Sequence, residues 1–278
     1  MTDYLEDTFD VNDAEFVACY DEAPLWSAMF GLLLLEHVPL RPDLTVLDVG
    51  CGTGFPLLEL AERLGPTCKV CGLDTWQAAA ARARRKIAHR GIGNVEVVDG
   101  DATAMPFQDD TFDLVVSSLG VNNFADPAAA FGQCARVAGR GAVLALATNL
   151  RGHMDEVYEA YDEALRQLGM QELIEPLRAH VRRRTTVVEI CGWMERAGFA
   201  VRKIYRDARH LRFLDGSAVL RHSFIRIGFL PAWRDVVPAK RRREVFARLE
   251  ANLNAIAQQQ GELALTVPMA YIEAERLA

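Results

Sequence analysis

The chain has 278 residues, half of them hydrophobic, and a formal net charge of −7, enough for one large or two small domains with a substantial core. The charge is uneven: residues 1–40 hold nine Asp and Glu and none of the 31 Lys and Arg. That distribution speaks against a nucleic-acid binder, which carries a basic footprint, and against a secretory or transit leader, which starts basic or lacks acids. The longest apolar run near the start, Met29 to Leu35, is too short to span a bilayer, so the expectation is a soluble, cytoplasmic protein.

Residues 12–22 read as a short amphipathic helix, broken at Ala23-Pro24. Leu25 to Val38 reads as a second, mostly apolar helix stopped before Pro39. This prelude, residues 1–41, either packs on the core or forms a lid across a ligand, with Tyr20 and Trp26 as candidate aromatic contacts.

A short strand, Leu44 to Val49, then enters Gly50-Cys51-Gly52-Thr53-Gly54-Phe55-Pro56, and a helix follows through Leu64. Glycines in such a turn allow positive φ and let a ligand approach bare backbone. The free N–H groups of the new helix suit an anionic group. The dinucleotide fingerprint wants G-x-G-x-x-G; here the pattern is G-x-G-x-G and Phe55 takes the sixth place. An acid, Asp48, stands inside the strand end.

Cys68 to Leu73 is a second strand ending in Asp74, twenty residues after Gly54. In a βαβ unit an acid there reaches the two hydroxyls of a ribose; its competing role is to cap the helix over Ala78 to His89. Thr75 and Trp76 follow where an adenine or ribose edge would lie, although Trp76 also reads as a packed aromatic. Cys68-x-x-Cys71 has no second cysteine pair to complete a zinc site, and residues i and i+3 of a strand point to opposite faces. No metal site is expected, and the six cysteines are expected to be reduced.

Val95 to Val98 is a third strand, followed by Gly100-Asp101-Ala102. Phe112 to Ser117 is a fourth, mostly apolar as a parallel strand covered on both faces should be. Ser118-Leu119-Gly120-Val121-Asn122-Asn123 stands at its carboxyl end, where open α/β sheets bind ligands. Asp126-Pro127 caps a helix through Val137, and Ala142 to Thr148 is a fifth strand.

Asp48 with the three glycines resembles motif I of the class I S-adenosylmethionine (SAM)-dependent methyltransferases. Asp101 with Ala102 resembles that family's adenine site, and Ser118-x-Gly120-x-x-Asn123 resembles the motif IV region of quinone-biosynthesis methyltransferases. The resemblance is strong over residues 42–150. It implies an α/β Rossmann-like, doubly wound, seven-stranded sheet of order 3-2-1-4-5-7-6 with strand seven antiparallel. It also implies SAM as cofactor, methyl transfer to a small molecule as the reaction, and Asp48, Gly50, Cys51, Gly52, Thr53, Gly54, Asp74, Thr75, Asp101, Ala102 and Ser118 as cofactor-binding residues. One departure is Ala138-Gly139-Arg140-Gly141 in place of the usual Pro-Gly-Gly turn. No residue is singled out as a general base by spacing. Methylation of protein or RNA, or nucleotide or NAD binding without transfer, are the alternatives.

Met154 to Leu168 reads as an amphipathic helix. His153 with Glu156 could reach a substrate, although a lone His at a helix start is more often a surface residue. Thr185 to Ala197 is a helix, Ala200 to Tyr205 a sixth strand and Glu262 to Ile272 a last one. The interval between these strands, about residues 209–261, is too long for a hairpin and reads as an inserted helical cap ending in a charged helix, Ala239 to Gln260. Phe213, Phe224, Phe229 and Trp233 in it line an acceptor pocket or cover the sheet's edge. Because the last strand returns to the sheet, the chain reads as one domain, residues 1–278.

Overall fold

The computed structural model describes residues 4–277. They divide into two compact units, each drawing on several stretches of chain.

The first unit comprises residues 11–149, 185–207 and 269–277 and is built on strands of a seven-stranded sheet of order β3-β2-β1-β4-β5-β7-β6. Its elements are α1 (Ala14–Asp21), α2 (Leu25–His37), β1 (Thr45–Val49), α3 (Leu57–Leu64), β2 (Lys69–Asp74), α4 (Gln77–Arg90), β3 (Val95–Asp99), β4 (Phe112–Ser118), α5 (Pro127–Val137) and β5 (Ala138–Asn149). The others are α8 (Val187–Arg196), which follows α6 and α7 in the chain, and parts of β6 (Phe199–Phe213) and β7 (Leu263–Arg276). The first five strands pair in parallel, and β7 pairs antiparallel with β5 from Val143↔Glu275 to Asn149↔Met269. The expected order and the direction of strand seven are both found.

Local chemistry accounts for most boundaries. Asp13 and Asp126 accept backbone N–H bonds as N-caps of α1 and α5. Thr186 and Glu189 form a reciprocal capping box at α8, which satisfies two otherwise orphaned donors. Gly91 ends α4 in the left-handed region. One strand starts earlier than its apolar pattern suggested: β5 begins at Ala138, opposite Phe112, and its register shifts before Val143 meets Leu114. The unusual Ala138–Gly141 stretch is therefore an irregularity within the strand, with Gly141 at φ 75°.

Cys68 precedes β2, and its Sγ accepts from Leu44 N at 3.3 Å. Cys71 is buried within β2, and burial pushes its thiol up to about 12. Among the described residues no three His, Cys, Asp or Glu side chains gather as a metal set, and no helix is long and apolar enough to cross a membrane.

The second unit comprises residues 4–10, 150–184 and 208–268. It holds α6 (Asp155–Gln167), α7 (Ile174–Val181), α9 (Gly216–Arg221), α10 (Ser223–Gly228), α11 (Leu230–Asp235) and α12 (Arg242–Gln260). Helix α12 packs on α6 and α9. The insert expected over about 209–261 is helical; the same compact unit also takes in residues 150–184. The acidic start of the chain is anchored here too, with Asp7 paired to Arg226 at 2.5 Å and the Leu5 and Asp7 carbonyls accepting from Arg234.

Candidate cofactor site

Strand β1 ends in the glycine turn, and β2 holds that turn in place. The N–H groups of Gly50 and Cys51 both donate to the Leu73 carbonyl, at 2.8 and 3.2 Å. Gly50, Gly52 and Gly54 have φ of 82°, 51° and 101°, a region L-residues with side chains rarely adopt. At Gly52 a Cβ would meet nothing within 4 Å, so the backbone there is bare and open, whereas at Gly54 it would strike Leu58. Cys51 is buried against Gly72, where any Cβ would lie 2.7 Å from its sulfur. Burial, then the Asp48 and Asp74 charges, push the Cys51 thiol far up, so it serves as packing. Phe55 lies on α2, its ring filling the space a side chain at Gly31 would need. Pro56 stands at the N-cap of α3.

Asp48 is the most unusual group in this unit. It sits in β1 between Gly72 of β2 and Val116 of β4. It is fully buried, and neither carboxyl oxygen has a hydrogen-bond partner. Burial, and secondarily repulsion from Asp74, raise its carboxyl to about 8. A buried carboxylate without a partner is costly, so the empty-handed group is protonated near neutrality and suited to a cationic ligand.

Asp74, at the end of β2, is already engaged. Its Oδ2 accepts from Gly52 N and its Oδ1 from Trp76 N, both at 2.7 Å. It thus ties the glycine turn to the start of α4. Each oxygen retains a lone pair for a further donor. Thr75 is exposed; Trp76 donates from Nε1 to the Val11 carbonyl at 2.8 Å and meets the Tyr20 ring edge-on at 5.2 Å. Tyr20 is within electrostatic reach of Asp74, and burial, then that charge, raise its hydroxyl above the ordinary value. Trp26 packs on Phe30 instead.

Asp101 follows β3 on the surface. Bonds from Thr103 N and Oγ1, at 2.8 and 2.9 Å, hold its carboxyl below the usual range. Ala102 is half-buried beside it. At the end of β4, Ser118 is half-buried, while the neighbouring Ser117 is buried and donates to the Val49 carbonyl at 2.6 Å. Leu119 takes a left-handed φ of 67°, an arrangement that costs energy and clusters at functional sites. It brings the Gly120 backbone so near Gly50 that a Cβ on Gly50 would lie 3.5 Å from the Gly120 Cα.

Several contributors escaped the sequence reading. Thr53 bonds to Asp21, which also pairs with Arg82 at 2.9 Å and Lys86 at 2.7 Å. Burial acts to raise the Asp21 carboxyl, but these three bonds outweigh it and hold it low. The prelude helix is thereby fastened to the glycine turn and to α4. Of the two asparagines after Gly120, Asn123 is exposed, while Asn122 carries the network. Its amide donates to Thr148 and Asn149, and its oxygen accepts from Thr185 N and Oγ1. The adjacent pair of amides was visible; which one turns inward was not.

The elements thus present a glycine turn, a buried lone carboxyl and further acids at successive strand ends of one α/β sheet. Residues 40–192 match the family described as a methyltransferase domain. The chain belongs to that family, the class I SAM-dependent methyltransferases. It is 39% identical over 132 residues to a demethylmenaquinone methyltransferase of Thermus thermophilus, covering 46% of this chain and 57% of that one. It is 30% identical over 174 residues to a ubiquinone/menaquinone biosynthesis C-methyltransferase of Idiomarina loihiensis, covering 58% of this chain and 68% of that one. The chain therefore spans just over half the length of the first relative and about two thirds of the second. In fold it is similar to the YcgJ protein of Bacillus subtilis, with a TM-score of 0.61 at 19% identity, over 90% of this chain and 99% of that one.

The residues present fit SAM. The lone buried carboxyl of Asp48 suits a cationic group, the bare turn at Gly52 admits close approach, and Asp74 has acceptor capacity left for a diol.

Proposed function

We propose that this protein transfers a methyl group from SAM to a small organic acceptor held by the helical unit, with a reduced quinone as the acceptor class. The observation that carries the cofactor reading is Asp48, fully buried beneath the glycine turn with neither oxygen partnered. The names of the relatives support the acceptor class. The third-glycine position occupied by Phe55 disfavours a dinucleotide.

When bound, SAM supplies an electrophilic methyl on a sulfonium. The chain's own contribution is to bind and orient. The turn of Gly50, Cys51, Gly52, Thr53 and Gly54 lies along the cofactor, with bare backbone at Gly52, and Asp48 balances positive charge. Asp74 with Thr75 holds the ribose diol, Asp101 with Ala102 reads the adenine edge, and Ser118 lines the end of β4. Holding two reactants in attack geometry is itself worth several kcal/mol of barrier, and a closed site excludes competing water.

Thermal-shift measurements with SAM, S-adenosylhomocysteine and NAD check the cofactor. Stabilisation by the first two, with micromolar binding of S-adenosylhomocysteine, is expected; stabilisation by NAD alone would sink the proposal. Incubation with labelled SAM and metabolite extract, followed by identification of what carries label, tests the acceptor class; label in protein or RNA would overturn it.

Asp74→Ala should weaken SAM binding by about 100-fold or more, since it removes two charge-assisted bonds at about 1.5–3 kcal/mol each and also frees Gly52 N. Calorimetry showing affinity within about threefold of wild type would assign Asp74 to the turn and the start of α4 alone.

A further inference from the structure

One side chain of the first unit, Asn122, bonds both ends of the segment that leaves that unit for the helical one. Asn149 is the last residue before the chain departs, and Thr185 is the first after it returns. The Asn122 amide nitrogen lies 2.9 Å from three acceptors: Thr148 Oγ1, the Asn149 carbonyl and Asn149 Oδ1. Its oxygen accepts from Thr185 N at 3.1 Å and from Thr185 Oγ1 at 3.0 Å. The Thr185 N–H can only donate and the Asn149 carbonyl can only accept, so the amide has one orientation. Both its hydrogens and both its lone pairs are used, and no other side chain of this size offers two of each. Thr148, Asn149 and Thr185 are all buried, where a lost partner leaves a donor or acceptor unsatisfied.

The same residue closes a strained turn. Leu119 N donates to the Ala147 carbonyl at 2.8 Å. Three positions later Asn122 is bonded to Thr148 and Asn149, the next two residues of β5. Between these anchors the chain makes a single 3-10 turn, Gly120–Asn122, with Leu119 left-handed before it at φ 67°. That backbone is disfavoured roughly tenfold for a residue with a side chain, and it persists only where the surroundings over-determine it. Here bonds to successive β5 residues hold the turn on both sides. The turn carries the Gly120 backbone, which packs against the end of β1 and the glycine turn. A Cβ on Gly120 would lie 3.0 Å from the Val49 carbonyl, and one on Gly50 would lie 3.5 Å from the Gly120 Cα.

We propose that Asn122 is a positioning residue for the cofactor: its amide holds Leu119 in the left-handed form and so keeps the Gly120 backbone seated against the turn that binds SAM. This rests on the methyltransferase reading above. Without the amide, Leu119 relaxes toward ordinary backbone, Gly120 leaves Gly50, and only a fraction of the molecules presents a complete site. Apparent affinity falls by that fraction. Asn122 acts through Leu119 and Gly120, which is why glycine at neither of its own bonded partners, but at the strained position, relieves its loss.

Calorimetry with S-adenosylhomocysteine on the full-length protein, at a temperature where the variants are folded, tests this. Asn122→Ala should weaken affinity by about tenfold, the preference that a left-handed leucine has to overcome. Adding Leu119→Gly to Asn122→Ala should return affinity to within about threefold of wild type, because glycine adopts that backbone without cost. A purely structural amide would lower the melting temperature, leave the affinity of the folded protein unchanged and gain nothing from Leu119→Gly. Thr148→Val combined with Thr185→Val keeps the shapes and removes two of the amide's partners. This pair should weaken affinity by about fivefold, with the same rescue, and it carries the test if Asn122→Ala does not fold. Affinity within about threefold of wild type without Leu119→Gly, or no recovery on adding it, would overturn the proposal. If the wild type binds S-adenosylhomocysteine and these comparisons fail, only the role of Asn122 falls. If the wild type binds neither SAM nor S-adenosylhomocysteine, the methyltransferase reading falls and the proposal with it.

Discussion

Asp48→Asn is expected to make the ligand-free protein more stable while weakening cofactor binding. The Asp48 carboxyl is raised to about 8 in the folded chain by burial and Asp74, against about 3.9 in an unfolded one. The unfolded state therefore loses its proton first as pH rises. The resulting penalty is absent near pH 4, grows through the interval to about pH 8, and is constant above it. At 1.36 kcal/mol per pKa unit it reaches up to about 4 kcal/mol at pH 7. Asn is nearly the same shape and as poorly partnered as the protonated acid, so it keeps the burial and removes only the ionisation cost. Melting curves of the two proteins should coincide near pH 4 and separate as pH rises, the variant melting higher. In calorimetry, the wild type should release close to one proton on binding S-adenosylhomocysteine at pH 6–7, read from buffers of different ionisation enthalpy. The variant should release none and bind about 10- to 100-fold more weakly, the range a lost charge-assisted bond supplies. Equal melting at pH 7, or no proton released by the wild type, would show that Asp48 is ionised before any ligand arrives.

Trp233→Ala should cost about 3–5 kcal/mol, the usual range for emptying a large buried aromatic site. Trp233 is completely buried. Its Nε1 donates to Tyr158, its carbonyl accepts from Tyr161 at 2.8 Å, and its ring meets Tyr158 and Phe229 at 5.9 Å. Phe224 packs edge-on against Phe229 at 5.2 Å. These aromatics are the interior of the helical unit, a structural role the sequence reading did not assign them. Trp233→Phe keeps most of the volume and loses one hydrogen bond, so it should cost about 1–2 kcal/mol. Denaturant melts compare the two, and hydrogen exchange should place the loss of protection in residues 150–184 and 208–268. An Ala variant as stable as wild type would mean the site collapses without a cavity.

Much of the fold was legible because it rests on local rules. Strand β4 carries the apolar run Leu114 to Val116, α5 starts at Asp126-Pro127, and α8 starts at a capping box, each within a few residues of chain. The same holds for the glycine turn and for the acids at the ends of β1, β2 and β3. What failed to show was long-range. Asp21 reaches Arg82 and Lys86 across sixty and more positions, and Asn122 reaches Thr185 across 63; no periodicity carries such a pairing. The reach of β6 to Phe213 was missed because its outer residues are mostly exposed and charged, which erases the alternation that marks a half-buried strand.

The sequence by itself determined the parallel α/β core, the turn of three glycines and the placing of Asp48, Asp74 and Asp101 at successive strand ends, since each follows from the conformational preferences of a few adjacent residues. Only the tertiary structure decided the state of those groups. Asp48 is one carboxyl among many in the sequence; burial between β2 and β4 with no donor in reach makes it the one that holds its proton. Asp74 is bound to Gly52 because β2 and the turn are neighbours in space. Charge state and pairing depend on what is excluded as much as on what is present, and exclusion of water and counter-charge is a property of the packed chain.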